Sequence, residues 1–247
     1  MKKMGVLIQA EKKKWRRQRI IWVGYLSIVF SFIITLAQQF QMNGGSVAWR
    51  NAVDMFLYNN TVLFLPFPIA LIGGYMIDRE YAQDTLKNLL VIPVRWQDLI
   101  KAKVVVLLLL VIRLGVFELA ISLLAGAILR MEGMTFVLII KTFFQFLLSN
   151  VCITIGILPV ILWYGKTGGK YVWGSILSML IGVSGVFVAN GKLVNWHPVT
   201  ASLSFTTETY HAASVSVMAK SVIALVVYGL VSFVIYIVIY QKKKQLI

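Results

Sequence analysis

The sequence predicts an all-α integral membrane protein: six transmembrane helices, an N-terminal interfacial amphipathic helix and a short cytosolic coupling helix. Three observations lead there. Hydrophobic residues make up 59% of the 247 residues and charged residues only 13%, with a mean hydropathy of +0.83; soluble domains run about 45–50% apolar and about 25% charged. The apolar residues gather in several runs of about 20, the length that crosses a hydrocarbon core of about 30 Å. The net charge is +15, and its cations are unevenly distributed along the chain. This composition excludes a soluble enzyme, a secreted disulfide scaffold and a disordered regulator. Cys152 is the one cysteine, so neither an intrachain disulfide nor a thiolate metal cage can form.

Residues 1–19 form the first unit. Met4, Leu7, Ile8 and Trp15 fall near one helical face, while Lys12, Lys13 and Arg16 lie elsewhere. A basic helix with one apolar stripe lies in the plane of the inner leaflet, where each cation gains about 1 kcal/mol from anionic lipid. The apolar run that follows is long for a signal peptide, as is the basic tail before it, so the expectation is an uncleaved anchor. Nucleic acid is not an expected partner, because the aromatic and basic spacing fits no recognition module.

Residues 20–240 form the six-helix transmembrane domain, with spans expected at 20–37, 61–77, 104–129, 142–163, 172–189 and 221–240. If both termini are cytosolic, eighteen of the 24 Lys and Arg residues lie inside and five outside, with Arg113 within the membrane. Such an excess sets orientation; it predicts a multi-pass protein with a cytosolic loop at 78–103, an outside loop at 190–220 and a basic cytosolic tail at 241–247. Pro66, Pro68 and Pro159 predict kinks in spans two and four.

The third span holds two ionisable residues. Arg113 lies about 14 Å in by helix rise, and Glu118 is five residues further. That spacing does not stack the two on one face, so partners on other helices are expected. Two readings remain open for this intramembrane polar pair: an ion pair within the bundle, or a polar patch in the transport pathway or at a subunit seam. Ser175, Ser178, Gly182 and Gly185 line one face of span five and predict close helix packing.

The search for catalytic chemistry returns little. There is no HExxH zinc motif and no Gly-x-Ser-x-Gly nucleophile elbow. His197 and His211 both fall in the outside loop, His197 in an Asn-Trp-His-Pro turn. Gly165-Lys166-Thr167-Gly168-Gly169 has the ending of a phosphate loop, but Val160 occupies the position of its first glycine and a membrane span precedes it instead of a strand. No catalytic, metal or cofactor-binding residues are assigned.

The loop after span two carries the most information. It reads Asp78-Arg79-Glu80-Tyr81-Ala82-Gln83-Asp84-Thr85-Leu86-Lys87-Asn88-Leu89-Leu90-Val91-Ile92-Pro93-Val94-Arg95. Leu86, Leu89 and Leu90 keep helical spacing, and Pro93 ends the helix. A short amphipathic helix so placed needs an apolar groove for its leucines, on the membrane or on a protein.

This pattern resembles the type-two ABC exporter permeases, in which an acidic residue, Thr-Leu-Lys-Asn-Leu-Leu and a proline turn mark the region docked on the ATPase subunit. The resemblance covers the whole chain in layout and residues 80–103 in detail; Asp84 stands where the family usually has glycine. In size and layout the chain is similar to the lantibiotic-immunity and bacitracin-resistance membrane subunits. The resemblance implies ATPase-coupling contacts at Glu80, Asp84, Thr85, Leu86, Lys87, Asn88 and Leu89. It implies no cofactor in this chain, ATP and Mg being bound by separate ATP-binding-cassette ATPase subunits. The other partners would be a second permease copy or paralogue, membrane lipid and an amphipathic peptide cargo exported in resistance or immunity. Export of a lipid, drug or ion by the same machinery is the alternative; a membrane-embedded enzyme or a non-transporting assembly factor fits less well.

Overall fold

A computed structural model describes residues 2–15, 18–43, 48–82, 95–188, 191, 193–207 and 215–241. The chain begins with α1 (Lys2–Trp15), followed by a 3-10 turn (Arg19–Ile21) that leads into α2 (Trp22–Asn43). Then come α3 (Trp49–Asn59), a π-helical turn (Asn60–Phe64), α4 (Pro66–Ala82) and the 33-residue α5 (Trp96–Ile128). The second half comprises α6 (Phe136–Tyr164), α7 (Tyr171–Val188), a 3-10 turn (Thr200–Ser202), α8 (Leu203–Thr206) and α9 (Val215–Tyr236), which ends in a π turn (Ile237–Gln241).

Five of these helices are long and apolar enough to cross a membrane, and a sixth span is made if α3 and α4 count as one bent element. Among the described residues there is no strand. Side chains are distributed as lipid demands. Large apolar groups such as Trp22, Phe30, Val226 and Leu230 point outward, while Thr35, Asn59, Asn60, Thr61, Ser149 and Asn150 are buried. In hydrocarbon the polar groups must find partners within the bundle.

The second span departs from the sequence expectation of 61–77. It runs from Trp49 to Tyr81 and is bent by 49° at a break around Leu65. Arg50, Asn51 and Asp54 lower the hydropathy of its first half, yet Trp49, Ala52, Val53, Phe56 and Leu57 are all buried along one face. The break sits where Pro66 removes a backbone donor and the preceding turn loosens to π geometry. In α6, Pro159 lies within a continuous helix. The third span also starts earlier than expected: α5 begins at Trp96 and carries Lys101 and Lys103 on a helical extension below its apolar stretch.

The core runs along α2, α3, α5 and α6. Phe32 meets Phe56 edge-on at 5.0 Å, and Phe56 meets Phe146 in the same way at 5.6 Å. Away from the basic end, Trp49 is buried and its indole N–H donates to the Ser122 carbonyl at 3.1 Å. The small-residue face of α7 is buried, with Ser175, Ser178, Gly182 and Gly185 inward. A Cβ on Gly182 would lie 2.7 Å from the Val62 carbonyl oxygen, so this face carries α7 close to the backbone of the bent span.

Much of the expected outside loop is not a surface loop. Val199, Thr200, Ala201, Ser202, Leu203, Ser204 and Thr206 are all buried, and the carbonyl of Pro198 lies against Gly156 of α6. Residues 193–207 fold back against the bundle as a short buried element. His197 orders it. Its Nδ1 accepts from the Val199 and Thr200 amides at 3.4 and 3.3 Å, leaving Nε2 to donate to Ser184 Oγ at 3.0 Å. Burial holds the imidazole below its ordinary 6.5, and the Ile181 carbonyl works weakly the other way.

Candidate functional site

Four charged side chains close a ring at the basic end of the bundle. Lys103 Nζ of α5 meets Glu11 Oε2 of α1 at 2.7 Å and Glu80 Oε1 of α4 at 3.0 Å. Lys14 Nζ meets Glu11 Oε1 at 3.1 Å and the same Glu80 oxygen at 3.0 Å. Positive and negative groups therefore alternate around the ring. The side chains of Lys103, Glu11 and Glu80 are 2%, 4% and 3% exposed. Removing one partner from such a buried set costs about 3–5 kcal/mol, because the other charge is left unmatched. Lys14 is half in solvent. Burial opposes its charge, but Glu11 and Glu80 outweigh burial and raise its ammonium above the ordinary 10.5.

The local sequence explains why the ring forms here. Glu11 and Lys14 are one helical turn apart on α1, so both reach the same side. Glu80 is near the end of α4 and Lys103 is in the second turn of α5, so they bracket residues 83–94. Glu80 and Lys103 tie the two ends of that segment together. A second tie is an edge-on contact of Tyr81 with Trp96 at 5.1 Å. Next to them, Asp78 Oδ1 accepts from the Gly169 amide at 2.6 Å. Gly168 and Gly169 take φ values of +51° and +78°, a region open to glycine without strain, and this brings the α6–α7 turn onto α4.

The same end of α1 has a second anchor. Trp15 is buried, and the Arg113 guanidinium lies 5.4 Å from its ring centre. Arg113 is exposed on the outer side of α5 and reaches along the helix towards the basic end, as long cationic side chains do in lipid. It does not pair with Glu118.

Glu118 is buried in the middle of α5, and its partners are neutral. Asn60 Nδ2, from the π turn, donates to Oε1 at 2.9 Å, and Asn150 Nδ2, from α6, donates to Oε2 at 3.0 Å. Asn150 also reaches the Val111 carbonyl at 3.3 Å. Thr61, just after Asn60, and Ser149, just before Asn150, meet through their hydroxyls at 3.1 Å. Three spans thus converge on one carboxyl group, next to the break in the second span.

Of the contact residues expected from the sequence, Glu80 is placed in the charge ring; Asp84, Thr85, Leu86, Lys87, Asn88 and Leu89 lie outside the described residues. The sequence reading missed Glu11, Lys14, Lys103, Asn60 and Asn150. Signals existed for three of them: Glu11 is the sole acid in the first 19 residues, and Asn60 and Asn150 border or interrupt apolar runs. Among the described residues no group of three or more His, Cys, Asp or Glu side chains could hold a metal.

Comparison with known proteins adds the family. A family model described as "ABC-2 family transporter protein" matches residues 7–185, a stretch that contains the charge ring and the Glu118 cluster. The chain is also 31% identical over 179 residues to the "Bacitracin transport permease protein BCRB" of Bacillus licheniformis, covering 71% of this chain and 85% of that protein. No solved structure matches it. With its apolar spans and this match over most of its length, the chain belongs to the ABC-2 family of transporter proteins, as a multi-pass membrane permease.

Proposed function

We propose that the chain is the membrane subunit of an ATP-driven exporter in the bacterial plasma membrane. Its termini and basic end face the cytosol, and it moves an amphipathic antimicrobial peptide out of the cell or membrane. It works with a second permease copy or paralogue and with separate ATPase chains, which bind ATP and Mg. The observation that carries this reading is the similarity to a bacitracin transport permease over 85% of that protein. The charge asymmetry supports the orientation. The joined ends of residues 83–94 support a docking role for that segment, since a fixed base lets it transmit force.

The experiment is Leu86→Asp. Leu86 and Leu89 each contribute about 1.5–3 kcal/mol if fully covered by an ATPase groove, and a carboxylate there would be desolvated without a partner. The variant should insert normally, since insertion depends on the flanking spans, but its ATPase should no longer co-purify. Peptide-stimulated ATP turnover in proteoliposomes should disappear with it. An intact, fully stimulated complex would refute the docking role. Stimulation of the wild-type complex by a lipid, a drug or an ion, and not by peptide, would refute the cargo class.

A further inference from the structure

We infer that the ring of Glu11, Lys14, Glu80 and Lys103 is the joint through which movement of the ATPase-docking segment reaches the bundle, with Glu11 and Lys103 as its positioning residues. This rests on the transporter reading above and assigns α1 a part in the mechanism beyond membrane anchoring.

The argument starts from how α1 is held. It is fixed to α5 at two levels, by Glu11 on Lys103 at 2.7 Å and by Trp15 on Arg113 at 5.4 Å. Through Lys14 and Glu80, at 3.0 Å, it is also fixed to the end of α4. A push on residues 83–94 enters the protein at the end of α4 and the start of α5, the two elements that Glu80 and Lys103 join. Three of the four ring members are almost wholly buried. Buried charges resist separation because each loses its partner without regaining water. The ring therefore has no partly open state of low energy. The end of α4, the start of α5 and α1 move as one body.

That body connects to the spans at defined points. After Trp15 the chain turns through Arg19–Ile21 into α2, whose Gly24 lies against Leu114 of α5 and Ile72 of α4. Rotation of the ring unit thus acts on α2 directly through the chain and on α4 below its break at Leu65. The segment above the break carries Asn60, which holds Glu118. A displacement at the basic end so reaches the Glu118 cluster through one rigid unit and one bend. A basic helix that served only as a lipid anchor would not need a buried acid at position 11, since a carboxylate is repelled by an anionic membrane surface.

The test uses the full complex with its ATPase chains in proteoliposomes. The double variant Glu11→Gln with Lys103→Met removes one positive and one negative group together, so no unmatched charge remains to unfold the protein, and the Lys14–Glu80 contact is kept. The expected result is normal insertion, normal co-purification of the ATPase and unchanged basal turnover. Cargo-stimulated turnover and transport should fall about tenfold, within the range usual for coupling between two sites. A purely structural role would lower yield and leave stimulation per folded complex unchanged; that result overturns the proposal. Loss of ATPase co-purification also overturns it, since the ring would then serve docking. Failure of the wild-type chain to bind any ATPase would instead refute the transporter reading.

A second measurement does not depend on the variant's folding. Spin labels at Gly5 on α1 and Lys101 on α5, both exposed, should keep one distance between nucleotide-free and ATP-trapped states of the otherwise wild-type complex. A distance that changes between those states overturns the rigid unit.

Discussion

Replacing Asn150 by alanine would take from Glu118 one of its two carboxamide donors, the one at 3.0 Å on Oε2, and would also release the 3.3 Å bond to the Val111 carbonyl. In soluble proteins, leaving a buried acceptor unpaired costs about 1–3 kcal/mol. Within bilayers the measured worth of an interhelical bond is smaller, about 0.6 kcal/mol on average and about 1.7 at most, because the unfolded chain in lipid also finds partners. Glu118 is 1% exposed and no cation is within bonding distance among the described residues, so the upper part of the bilayer range applies. Asn150→Ala should destabilise the bundle by about 1–1.7 kcal/mol. The decisive experiment is a double-mutant cycle with Glu118→Leu, read by unfolding in bicelles. In that background Asn150 has no carboxylate to serve, so Asn150→Ala should cost about 1 kcal/mol less than in the wild type. Additivity within about 0.3–0.5 kcal/mol, the usual result for independent sites, would refute the claim that Asn150 and Glu118 act together.

Two further tests are independent of the cargo. Gly182→Ala would push a Cβ to 2.7 Å from the Val62 carbonyl and 2.9 Å from Pro66 Cγ and should cost about 1–3 kcal/mol. Gly229→Ala meets nothing within 4 Å and should stabilise α9 by about 0.5–1 kcal/mol; equal effects at the two sites would refute the packing account. His197 is neutral in the folded state below its ordinary 6.5, so its contribution is complete above that pH and declines as acid protonates first the unfolded and then the folded chain. The exchange protection of residues 193–207, taken relative to the intrinsic amide rate at each pH, should therefore fall as the pH drops through the ordinary histidine value of about 6.5, and His197→Gln should remove that dependence.

The spans were legible because lipid selects for apolar surface, and five of six carry it in one run. The first half of the second span was not, because Arg50 and Asp54 dilute a stripe whose buried face becomes evident only when Trp49, Val53 and Phe56 are packed. The small face of α7 was legible from its spacing; that it meets the Val62 carbonyl was not. The ring was hidden for a different reason. Lys14 and Glu80 are 66 residues apart and Glu11 and Lys103 are 92 apart, and Lys103 counts equally well as one more cation that sets orientation. Charge alone gives an orientation, and only the fold gives each charge its partner. Glu118 stood out as an intramembrane acid, but two uncharged carboxamides on other helices leave no pattern that links them to it.

The ring also bears on how the protein is made. Glu11 leaves the ribosome 92 residues before Lys103, which at about 5–20 residues per second is a wait of about 5–18 s. During that interval the first two spans are inserting, and Glu11 has only Lys14, one turn away, to offset its charge. α1 therefore cannot complete its docking until the third span has brought Lys103 into place. A nascent chain arrested before that point would expose the apolar and acidic side of α1, which makes the ring a natural mark by which membrane quality control could tell a finished subunit from an abandoned one.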